Sequence, residues 1–161
     1  MESYAFWKTA HIVSAAVLFG TGLGIAFFAW AGYRRALRIG QIDGLRAVLR
    51  LTVIADFCFT APAVIFQLMS GVMLMRLDGW SFVSPWALTV GGLFTAVGVC
   101  WLPVVAIQLA LSREAEGAAS VSALSRAFHR RFQVWFVLGV PAFLLVLALF
   151  YLMVGRPLGT L

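Results

Sequence analysis

The sequence predicts an all-α membrane protein: a four-transmembrane-helix bundle with both termini outside (periplasmic) and the basic loops cytoplasmic. Three observations predict it. Of 161 residues, 63% are hydrophobic and 11% charged, with a mean hydropathy of +0.99. A soluble domain is about 45–50% apolar and about 25% charged, and a chain this size has too little interior to hide the excess from water. The apolar residues also gather into four runs, each long enough for a span of about 20 residues. Finally, the arginines sit in the short segments between those runs, where membrane topology is set. Disorder is excluded by the high hydropathy, and the absence of period-two alternation excludes a β-barrel. Four spans use about half the chain, so 1–161 reads as one integral membrane domain.

The first run covers about 9–31. It is not a signal peptide: it lacks a basic n-region, is too long for an h-region, and ends in Arg34, Arg35 and Arg38 rather than a cleavage site. The second covers about 51–75, the third 86–111 and the fourth 132–154. Each hairpin carries a Pro-Ala pair in its second helix, Pro62-Ala63 and Pro141-Ala142, and each proline frees a backbone carbonyl and can kink its helix. The loops after the first and third runs hold nine arginines, among them Arg50, Arg113 and Arg130, whereas the other side has Lys8, Arg76 and Arg156. The positive-inside rule then orients the chain in a bacterial inner membrane, with the lipid bilayer as its first partner. Trp80, Trp86 and Tyr151 fall near the outer boundary and Tyr33 near the inner one, as interfacial anchors do. The net charge of +6 does not imply nucleic acid, because no basic stripe on a soluble face carries it. Cys58 and Cys100 lie inside apolar runs and read as buried small hydrophobes, with no Cys-x-x-Cys or Cys/His cluster.

Ionisable and polar residues inside apolar runs carry the functional reading, since charge in hydrocarbon is costly. Lys8 and His11 share one face near the outer end of the first helix. Lys8 reads as a snorkelling anchor or a partner for a cofactor's acidic group. A histidine at the depth of His11 serves as a metal or haem ligand, a proton carrier, or a hydrogen-bonding residue between helices. In the second helix, Asp56, Thr60, Ala63, Gln67 and Ser70 are spaced 4, 3, 4 and 3, which keeps them on one face of a straight helix. That stripe faces the bundle interior, as interhelical glue or as the wall of a ligand or proton path. Asp56 has a structural alternative, an ion pair with Arg50, His129 or Arg130 at the cytoplasmic surface. Gly20, Gly22 and Gly24, with the small residues Ser14, Ala15 and Ala16 above them, offer the first helix a close-packing surface or leave room for a flat ligand. The two histidines, His11 and His129, fall at opposite faces of a bilayer about 30 Å thick. They cannot hold one iron between them in a monomer; a homodimer would bring a second His11. Nucleophile elbows, phosphate loops, zinc clusters and paired carboxylates are absent.

The stretch Phe6-Trp7-Lys8-Thr9-Ala10-His11-Ile12 resembles the head of helix one in the HemJ protoporphyrinogen oxidases, where a Lys-x-x-His opens a four-helix membrane protein. Ala55-Asp56-Phe57-Cys58-Phe59-Thr60-Ala61-Pro62-Ala63, with Gln67, Gly71 and the ending Tyr151-Leu152-Met153-Val154-Gly155-Arg156-Pro157, resembles a bacterial integral membrane family of unknown function numbered 2269. Together these resemblances imply a member of a broad HemJ and CopD-like group. The resemblance implies haem b held by His11; by their positions Lys8, Gln67 and Ser70 would then line or neutralise the site. HemJ's later-helix lysine has no counterpart in Cys100-Trp101-Leu102-Pro103-Val104-Val105-Ala106-Ile107-Gln108, which argues against protoporphyrinogen oxidation. Two expectations follow. The first is a haem b protein of membrane redox chemistry or haem handling, an oxidoreductase whose partner is quinone or another membrane redox protein. The second is a non-enzymatic transporter or assembly protein that uses the polar stripe of Asp56, Thr60 and Gln67.

Overall fold

The computed structural model describes residues 2–155, and no strand occurs among them. Helix α1 is Glu2–Ile39 and α2 is Asp43–Ala55; a five-residue π-helical turn, Asp56–Thr60, leads into α3, Ala61–Leu77. After a short loop come α4, Pro85–Gly117, and α5, Arg126–Gly155, joined through a 3₁₀ turn at Val121–Ala123. Four segments are long and apolar enough to cross a membrane: Glu2–Ile39, Asp43–Leu77, Pro85–Gly117 and Arg126–Gly155. Arg156, which the charge comparison used, lies outside the described residues.

Every helix overshoots its apolar run. Arginine and glutamate are good helix formers, so the backbone ladder continues where the side chains turn polar. In α2 the overshoot is amphipathic, with Leu45 and Leu49 buried and Arg46 free to reach sideways. Its guanidinium bonds Asp43 at 2.7 Å, the Ala115 carbonyl at 3.0 Å and the Ala118 carbonyl. A cation thus closes the C-terminal end of α4, where carbonyls lack helical partners. Ser84 caps the start of α4 by accepting the Ala87 amide at 3.2 Å, with Pro85 in the first turn. At the end of α3, Trp80 N–H reaches the Met75 carbonyl and Gly79 N–H the Arg76 carbonyl. That is a Schellman closure, and it requires the positive φ of 69° that glycine supplies at Gly79.

Packing is uneven along the bundle. The main core joins all four spans at the basic-loop end: Ala29 and Ala36, Leu45 and Leu49, Leu111 and Ala115, Phe128, Phe132 and Trp135. Tyr33 stacks on Phe132 at 4.0 Å. Toward the termini the helices sort into two pairs, α3 on α1 and α4 on α5, and α3 has no substantial interface with α4 or α5. Phe19 bridges the pairs, 5.0 Å from the Phe143 ring and 5.4 Å from Phe150. Three glycines in the middle of α1 take no part. A Cβ at Gly20, Gly22 or Gly24 would meet nothing within 4 Å, so the expected close packing there does not occur. Close approach falls instead at Gly32, where a Cβ would meet Val48 at 3.2 Å, while Gly71 lies in ordinary contact range of His11.

The π turn is the feature the straight-helix reading lacks. Pro62 has no N–H, so the ladder is interrupted just after Thr60, and Ala61 N–H bonds back five residues to the Asp56 carbonyl. A π turn holds about one residue more than an α turn, and one residue occupies roughly 100°. Side chains above and below it therefore face different neighbours. The turn also points Cys58 outward: it is exposed, not buried as its apolar run suggested, while Cys100 is half-buried and both thiols are free.

Candidate functional site

Polar side chains collect in two clusters. The first lies between α1 and α3. His11 Nδ1 is 2.8 Å from Ser70 Oγ, and His11 Nε2 is 2.8 Å from Gln67 Nε2. With the Gln67 amide oriented to donate to Nε2, the ring carries its proton on Nδ1 and donates it to Ser70. Ser70 passes its own proton to the Phe66 carbonyl at 2.7 Å. Gln67 Oε1 accepts from Ser14 Oγ at 2.5 Å. Gly71 lies beside the ring; a Cβ there would stand 3.4 Å from His11 Cε1, in ordinary van der Waals contact. His11, Gln67 and Ser70 are thus together as expected. Ser14 joins them, although by residue type it read only as a small packing residue. Lys8 does not join: it is exposed, its ammonium 5.7 Å from the Tyr4 ring centre on the same helix.

A haem iron would have to bind through a ring nitrogen of His11. Both ring nitrogens of His11 are engaged, and iron at Nε2 would require the Gln67 amide to leave. As arranged, the residues do not fit a haem iron.

The second cluster lies at the π turn. Asp56 is 5% exposed, and its carboxylate accepts a hydrogen bond from Trp101 Nε1 of α4 at 3.3 Å. One turn on, Thr60 is 6% exposed; its hydroxyl makes no well-formed hydrogen bond among the described residues. Below, Gln108 of α4, also buried, donates to the Thr52 carbonyl at 3.4 Å. The stripe of Asp56, Thr60, Ala63, Gln67 and Ser70 therefore faces inward, but toward two partners. Gln67 and Ser70 meet α1, and Asp56 meets α4. The π turn supplies the rotation between them.

The cytoplasmic ion pair expected for Asp56 is not formed. Ion pairs among the described residues are Arg46–Asp43 and Arg131–Glu114. The reason is position. Asp56 stands 13 residues into its span, roughly 20 Å above its start, whereas Arg130 and His129 lie in the first turns of α5. His129 Nδ1 contacts the Tyr33 hydroxyl at 2.7 Å instead. Tyr33 is 22 residues along α1 from His11, roughly 33 Å, so the two histidines do stand at opposite ends of the bundle.

Asp56 also marks a junction. On its basic-loop side the second span packs on α4 through α2; on the other side α3 leans away onto α1. The carboxylate sits where two spans part. The buried acid there has the Trp101 indole and the Thr60 hydroxyl beside it.

Residues 5–157 match a family model described as predicted integral membrane protein, DUF2269. No curated protein and no solved structure matches the chain.

Proposed function

The chain belongs to the DUF2269 family of predicted integral membrane proteins, and from that premise we propose that it is a small proton-handling transporter of the bacterial inner membrane whose working group is Asp56. One observation carries this reading: a carboxylate 5% exposed, inside a membrane span, without an ion-pair partner among the described residues. An uncompensated charge in that setting costs several kcal/mol. A proton supplies the missing compensation, and Thr60 Oγ1 is placed to accept from the resulting acid. The parting of α3 from α4 supports access from the termini side. The His11 cluster then acts as the clasp that holds α3 against α1. With the basic loops in the cytoplasm, Asp56 would be approached from the periplasm.

The test is proton uptake into liposomes carrying the purified protein and an internal pH dye, driven by a potassium diffusion potential. Uptake in the wild type that Asp56→Asn abolishes supports the reading. Uptake no faster than in empty liposomes overturns it and leaves the clusters as interhelical glue. An absorption spectrum of the same preparation, oxidised and reduced, tests the haem alternative. A Soret band lost in His11→Ala would displace the proton reading in favour of haem b.

A further inference from the structure

We infer that the groove between α1 and α5 at the basic-loop end binds an anionic phospholipid, headgroup and upper acyl chain together. The groove has a volume of about 250 Å³. Trp30, Phe132, Phe136 and Val137 wall it with apolar surface, and Arg34 and Gln133 supply its polar groups. Depth matters. Arg34 lies just past the apolar run of α1, and Gln133 opens the apolar run of α5. Both therefore stand where hydrocarbon gives way to headgroups, with the aromatic walls beside them.

Arg34 lacks a carboxylate partner. The ion pairs among the described residues are Arg46–Asp43 and Arg131–Glu114, and the contact of its guanidinium is the Trp30 ring, 5.9 Å away. A guanidinium forks onto phosphate in two parallel hydrogen bonds, and Gln133 can add a third donor. Basic pockets between spans are the usual seats of anionic headgroups. Tyr33 completes the wall, its hydroxyl already held by His129 at 2.7 Å, so the groove is fixed before a ligand arrives. A neutral ring ligand such as a quinone would fill the walls but leave the arginine uncompensated, so charge favours the phospholipid. A similar groove on the other side of α5 has Arg130 and Arg131 at its rim. There Arg131 is already bound to Glu114 at 3.1 Å, and the walls are Ile107, Ala127 and Val134 without an aromatic ring, which makes the α1–α5 groove the stronger site.

The full chain in non-ionic detergent would be titrated with phosphatidylglycerol and, separately, phosphatidylcholine, with bound lipid counted by native mass spectrometry. Phosphatidylglycerol should be retained in preference. Arg34→Gln should weaken it about fivefold or more, while Arg113→Gln, which removes the same charge outside the groove, should leave it unchanged. Both arginine variants keep an exposed helical position filled by a helix former, so folding is not at stake. Equal weakening by both variants, equal retention of the two lipids, or displacement of phosphatidylglycerol by inorganic phosphate alone would overturn the site. So would a quinone that displaces phosphatidylglycerol and binds Arg34→Gln as well as wild type.

Discussion

His11 shows how one side chain's hydrogen bonds decide its role. A neutral imidazole has one donor and one acceptor, and here Ser70 and Gln67 satisfy both. Removing Ser70 orphans a part-buried N–H. Ser70→Ala should therefore cost about 1–3 kcal/mol, read as a lower unfolding midpoint in detergent. Lys8→Ala touches none of this network and should stay within about 0.5 kcal/mol of wild type. Equal losses would mean that the exposed lysine belongs to the cluster after all. At this scale the sequence was partly legible. His11, Gln67, Ser70 and Asp56 stand out because polar groups are rare in apolar runs and are kept for a reason. Their partners do not stand out. Ser14 looks like any small residue, and nothing local says that Trp101 or Gln108 comes level with Asp56 or Thr52. That depends on the vertical register between spans, which the loops and the core set.

Spans were legible as elements because twenty apolar residues leave few alternatives, and the structure adds only polar extensions at their ends. The π turn was not. Spacings of 4, 3, 4 and 3 from Asp56 to Ser70 fit a straight helix, and only Pro62 hints at a disturbed ladder. A π turn is in effect one residue inserted into an α-helix. Deleting Phe59, an exposed member of the turn, should restore a continuous α-helix and turn the upper face by roughly 100°. Gln67 would then leave His11. A double-mutant cycle of His11→Ala and Gln67→Ala should give a coupling of about 0.6–1.7 kcal/mol in the natural chain and none in the Phe59 deletion. A coupling that survives the deletion would show that the turn does not set the facing of α3.

For the whole molecule, the uneven packing makes a division of labour. Apolar side chains from all four spans meet at the basic-loop end, with Phe128 at their centre and fully buried. At the other end two helix pairs are joined through rings on Phe19, Phe143 and Phe150, and Asp56 lies between the regimes. A protein that must expose a buried acid periodically gains from this plan, because one end can hold register while the other opens. Local opening follows packing density, so the halves should separate in hydrogen exchange. Phe128→Ala should cost about 3–5 kcal/mol and lower protection at the basic-loop ends of all four spans. Phe19→Ala should cost less and lower protection in the termini-side halves of α1 and α5, leaving the Phe128 core intact. If both variants spread their losses evenly through the chain, the bundle is one cooperative unit. The parting of α3 from α4 would then be a fixed shape, and access to Asp56 would have to come from motion of the side chains around it.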